Sequence, residues 1–203
     1  MKIKKLLISC AALFSCFGLM AFGVHAAIAC EVVISGTVSY TVTAAVEGEL
    51  KAYITDDNGT TKSYYNSQTG AKSATEVTNF LTRGTSSLAD WDLGSLKFKD
   101  KADILENISD PVHDIEIYFS FKNNSQVSTT KITMTPPTIE NVTIQYQKGS
   151  TTTAFTTETV MASVAPNQTA EFKIIMSVTN TGYSVTANNV NFGFVMNAAQ
   201  GGA

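Results

Sequence analysis

Few residues of this chain have the types that do chemistry, and their spacing limits what they can do. His113 is the one histidine beyond the first thirty residues, so a Ser-His-Asp or Cys-His arrangement would have to use it. No nucleophile turn of the G-x-S-x-G kind accompanies it. Asp110 and Asp114 lie close by in sequence, but zinc sites take three or four N, S or O ligands and there is no partner imidazole. The trio reads as a solvated turn before a strand. Asp56, Asp57 and Asn58 carry oxygen ligands without the further acidic positions and acidic terminator of a calcium loop, and Asn58-Gly59 is a strong hairpin signal instead. Asp90 and Asp92 flank the sole tryptophan, Trp91. As acid and base they would suit glycoside hydrolysis, which requires a lined cleft and a set separation. On a strand they point the same way, and Trp91 is then either a core plug or a ring that stacks on a ligand. The seven tyrosines divide in the same manner, between a sugar platform and the cover of sheet edges. The expectation is a protein that is not an enzyme, with no catalytic residue, no metal and no cofactor, and with Trp91 as its candidate ligand contact.

The first thirty residues speak of compartment. Lys2, Lys4 and Lys5 precede an uncharged apolar run from Leu6 to Val24, and small residues follow at Ala26, Ala27 and Ala29. That is an export signal over residues 1–29, leaving 30–203 as a single domain. The apolar run approaches the ~20 residues of a bilayer span, but the small residues at its end favour cleavage. Cys10 and Cys16 leave with the signal, so Cys30 becomes the lone thiol of the exported chain. Ala27-Ile28-Ala29 before it satisfies the last three positions of a bacterial lipobox, which makes Cys30 a candidate lipidation site and the only link to a membrane. Against this, apolar alternation begins at Val32 and leaves almost no tether. A lipoprotein and a plainly secreted protein both stay open. Without the three leader lysines, 11 basic residues face 17 acidic ones, a net charge of −6 that carries no nucleic-acid footprint.

The elements that would position these residues alternate with period two. Val32 to Val46 is apolar at the even positions except Gly36, where a bulge or bend is expected as one strand passes between two sheets. Leu50, Ala52 and Ile54 continue after Gly48, and Thr60–Tyr65 is the return strand. Ile115, Ile117, Phe119 and Phe121 face one way from a strand that ends at Asn123-Asn124-Ser125, a strand central enough to be scaffold. Further strands are expected over 127–134, 139–146, 172–178 and 190–196, with a turn at Val164–Gln168. One stretch departs from period two. Ser73 and Glu76 have capping-box spacing, Val77, Phe80 and Leu81 share a helical face, and Gly84 suits a C-cap, which predicts a short helix near residues 74–83. The fold class is all-β: a two-layer antiparallel β-sandwich, Ig-like or jelly-roll, with that one helix.

The order I-S-G-T-V-S-Y-T-V, W-D-L-G-S-L-K-F, I-E-I-Y-F-S-F-K-N-N-S and V-A-P-N-Q-T-A-E-F-K-I resembles that of exported bacterial β-sandwich surface proteins, loosely the biofilm-matrix fibre proteins of the TasA and camelysin type. The resemblance implies a structural subunit of an extracellular fibre or coat and carries no catalytic position across. It lacks that group's usual segment after the signal. Physically, the Val32–Val46 strand could self-associate by pairing with a neighbouring subunit, or simply complete its own sandwich. The second functional class is a binding module or adhesin that holds a glycan or a surface protein through end loops or the region around Trp91.

Overall fold

The computed structural model describes residues 32–43, 45–55, 60–82, 88–98, 114–178 and 185–200. Its strands are β1 (Val32–Val42), β2 (Gly48–Thr55), β3 (Lys62–Tyr65), β4 (Lys72–Ser73), β5 (Asn79–Leu81), β6 (Trp91–Lys97), β7 (Ile115–Asn123), β8 (Ser128–Thr135), β9 (Val142–Lys148), β10 (Thr151–Ala154), β11 (Thr159–Val164), β12 (Thr169–Val178) and β13 (Val185–Gln200). They form a β-sandwich. Sheet A has the order β11-β8-β13-β1-β6, and sheet B the order β10-β9-β12-β7-β2-β3-β4 with β5 added alongside β2.

Period-two alternation produces the two layers. In β7 the inward residues Ile115, Ile117, Phe119 and Phe121 are buried while Glu116, Tyr118 and Ser120 are only half-covered. The strand lies in the middle of sheet B between β12 and β2, as its pattern predicts. Aromatic contacts join the layers: Phe119 of sheet B stacks on Phe194 of sheet A at 5.3 Å and on Phe172 at 5.2 Å. Each such ring, fully buried, stabilises the fold by about 1.5–3 kcal/mol.

Two expectations need correction. The helix near residues 74–83 is absent among the described residues, and 79–81 is instead strand β5, paired with Gly48–Leu50 of β2. The supposed cap residues make other bonds. Ser73 Oγ accepts from the Thr75 amide and donates to the Thr75 carbonyl in a local turn, and Glu76 pairs with Lys51 at 2.5 Å. Asn79 then locks the chain in place from a buried position. Its amide donates to the carbonyls of Leu50 and Tyr65 at 3.0 and 3.1 Å and accepts from the Ser67 amide at 2.8 Å. Second, the first strand ends at Val42 rather than Val46, because the Val46 amide closes a turn onto the Thr43 carbonyl at 3.0 Å. The two sheets are antiparallel as expected, and among the described pairings β1 with β13 is the one parallel contact.

Gly36 is a bulge, as its place in the alternation predicts, but β1 stays within sheet A. Its register slips against β13 between Ile34 and Gly36 and against β6 between Gly36 and Thr37. A Cβ at position 36 would sit 1.8 Å from the Val190 carbonyl oxygen, so only glycine permits this approach.

Candidate functional site

Trp91 does not reach the surface. It opens β6 with its ring fully buried, tilted against Tyr65 at 5.6 Å, and Tyr65 stacks on Tyr40 at 4.7 Å. Burial pushes the phenols of Tyr40 and Tyr65 above their usual range, with Asp90 adding to the effect in both. The Tyr65 hydroxyl donates to the Ala89 carbonyl, whereas the Tyr40 hydroxyl and Trp91 Nε1 have no partner among the described residues. Trp91 is thus the core plug of the two alternatives. Its flanking acids are engaged in hydrogen bonds within the fold, Asp90 with β1 and Asp92 with a local turn. Asp90 accepts from Ser39 Oγ at 3.1 Å, and Asp92 accepts from the amide of Gly94, which holds φ 60°, at 2.8 Å. Cys30, Asp110, His113, the turn at 56–59 and the export signal lie outside the described residues.

Two other features have the geometry of sites. The first is the slot that β1 occupies. Ile34, Val38, Tyr40 and Val42 are buried between the sheets, while the backbone pairs with β13 from Val32↔Val185 to Val42↔Met196 and with β6 from Val33↔Lys97 to Val38↔Trp91. Both ladder partners are distant in sequence, and β1 joins the other described elements only at its C-terminal end, through residues 43–47. Removing β1 would leave an apolar groove with an unpaired strand on each side, which only an extended apolar segment of matching alternation can refill.

The second feature is a hollow of about 690 Å³ on the outer face of sheet B. A single cross-strand row runs through it, Tyr64–Tyr53–Tyr118–Lys173–Gln147, taken from β3, β2, β7, β12 and β9. Tyr53 and Tyr118 stack at 4.5 Å and 10°. Lys62 lies over the Tyr53 ring at 4.7 Å and Lys173 over the Tyr118 ring at 5.4 Å. Lys173 also pairs with Glu116 at 2.5 Å, and the Tyr118 hydroxyl donates to the same carboxylate. Burial and that bond raise the Tyr118 pKa. With lysines and a second ring against them, Tyr53 and Tyr118 offer edges and hydroxyls rather than open stacking faces. Nearby, hydrogen bonds from Asn124 and Lys122 hold the Glu49 carboxyl below its usual range, and one from Lys51 does the same for Glu76. The hollow is therefore a polar, ion-paired surface suited to hydrogen-bonded contacts. The alternation that buries Ile115, Ile117, Phe119 and Phe121 turns Glu116, Tyr118, Ser120 and Lys122 outward. Strand order, which leaves no mark in the alternation, is what sets Tyr118 between Tyr53 and Lys173.

No family model matches the chain, and no curated protein matches it either.

Proposed function

We propose that this is an exported, non-catalytic structural subunit of the bacterial surface or extracellular matrix, which joins to its neighbours by donating the strand β1, Val32–Val42. The observation that carries this reading is the place of β1 within sheet A, set between two strands of remote sequence and tethered to the other described elements at one end. A donated β1 makes the same ladder and buries the same side chains in a neighbour as it does in its own chain. Exchange then costs little beyond the loss of freedom on association and any strain in residues 43–47. Wild-type protein should form filaments or higher oligomers, and a chain lacking residues 30–46 should stay monomeric. Adding a peptide of residues 31–47 to the deleted chain should restore its cooperative unfolding. Persistent polymers in the deletion variant, or a peptide that never binds, sinks the idea.

Export rests on the leader, and attachment on Cys30. The intact mass of the exported protein separates diacylglyceryl-modified Cys30 from an unmodified chain. A second reading, a binding module for a glycan or surface protein, draws on the sheet B hollow rather than Trp91. Under it, a Tyr64→Ala or Lys173→Ala variant loses retention on a glycan or surface-protein panel while its melting is unchanged.

A further inference from the structure

The charges that line the hollow of sheet B are matched among themselves. Lys51 pairs with Glu76 at 2.5 Å, Lys122 with Glu49 at 3.3 Å and Lys173 with Glu116 at 2.5 Å. The two lining charges outside these pairs, Lys62 and Glu171, are of opposite sign. Cations and anions are thus balanced and interspersed, and the site presents no net field that would draw in a polyion. Among the pairs lie neutral groups that can both donate and accept. These are the hydroxyls of Tyr53, Tyr64 and Ser120 and the amide of Gln147, none with a hydrogen-bond partner among the described residues.

The row Tyr64–Tyr53–Tyr118–Lys173–Gln147 crosses five strands. At the ~4.8 Å spacing of strands it runs for about 19 Å, a length that suits an elongated ligand. The volume of about 690 Å³ lies within the ordinary range of small-ligand sites. Tyr64 closes one end of the row. Its ring is tilted 49° to that of Tyr53 and its neighbour on β4 is the small Ser73, and among the described residues no lysine lies over it. One face of this ring is left for the C–H face of a sugar.

We infer that the hollow binds a neutral polysaccharide, as a short run of sugar rings laid across the strands from Tyr64 to Gln147. Sugar hydroxyls donate and accept at once, so they bond to paired ammonium and carboxylate groups without separating them. An anionic chain would meet Glu49, Glu76 and Glu171 as closely as it meets the lysines, and a cationic chain the reverse. An extended peptide takes its backbone partners at a sheet edge, whereas β2, β7 and β12 beneath the hollow are paired on both sides. The inference deepens the binding-module reading, on whose site it rests, and is independent of strand donation.

Titration calorimetry of the exported chain with dextran, hydroxyethylcellulose, mannan and galactan tests it, with carboxymethyl dextran as the charged comparison. At least one neutral polymer should bind saturably, and its affinity should hardly change up to about 0.5 M salt, where charge-driven contacts are screened. Tyr64→Ala removes the end ring and Ser120→Tyr fills the floor. Each should weaken binding by about ten-fold or more with melting unchanged, while Thr133→Ala on sheet A should leave it as in the wild type. No binding of a neutral polymer, or binding untouched by both substitutions, overturns the inference. Carboxymethyl dextran bound more tightly than dextran, and released by salt, overturns it in favour of an anionic ligand. A surface protein bound by the wild type and lost in Tyr64→Ala, with no polysaccharide bound, keeps the binding module and removes the sugar. If neither binds, both fall.

Discussion

Two buried amides, Asn79 and Asn123, tie separate stretches of this fold together. Asn79 satisfies two carbonyls and one amide from three segments, and Asn123 does the same for the turn after β7, donating to Ser128 and Val164 at 2.8 Å each and accepting from the Ser125 amide at 3.0 Å. Replacing either strands several buried polar groups, each costing about 1–3 kcal/mol. Asn79→Ala and Asn123→Ala should therefore each lower stability by roughly 2–4 kcal/mol, read as a lower urea midpoint with an unchanged slope. Asp at either site should do worse, since it removes the donors and adds a buried charge. The tyrosines set the alkaline limit. Tyr40 and Tyr65 stay protonated in the folded state above the pH where unfolded tyrosine ionises. Their contribution is fully present below about pH 10 and is lost as pH rises above it. Absorbance at 295 nm should show their ionisation as a step coincident with unfolding rather than as a gradual titration.

At the scale of elements, what was legible followed from clean alternation. Strands β1, β2, β7 and β12, and β13 from Val190 to Met196, announce themselves because one face is almost wholly buried. The misses share a cause. Strand β11 hides its period behind a register slip between Val160 and Ala162, and β6 does so behind the turn at Gly94. The segment 74–82 imitates a helix because Val77, Phe80 and Leu81 have helical spacing, yet Phe80 is 67 % exposed and only Leu81 of the three is fully buried. Tertiary hydrogen bonds at Asn79 outweighed local propensity there. Gly36 is the element-level position most open to test. Gly36→Ala drives a Cβ into the Val190 carbonyl and should loosen β1 from β13, at a cost of about 3 kcal/mol or more. Hydrogen exchange should then show β1 amides losing protection ahead of β7 amides. Equal protection would mean that the bulge can relax elsewhere.

Across the whole molecule, layer architecture could be read from sequence and strand order could not. Alternation says which residues point inward, but not that Tyr118 lies between Tyr53 and Lys173 or that β1 meets β13. Those pairings come from chain crossovers that leave no local trace. The parallel contact between the first and last described strands has a mechanical consequence. Pulling the start of β1 away from the end of β13 drags the two strands past each other lengthwise, so the ladder from Val32↔Val185 to Val42↔Met196 bears the load all at once. Pulling instead from residues 42 and 200, near the same end of the pair, would open it one rung at a time. Single-molecule stretching through residues 32 and 200 should therefore give a markedly higher rupture force than stretching through 42 and 200. If β1 is passed from one copy to the next, tension along a chain of copies runs through this same shear contact. The joint would then be strongest in the direction in which an extracellular thread is pulled.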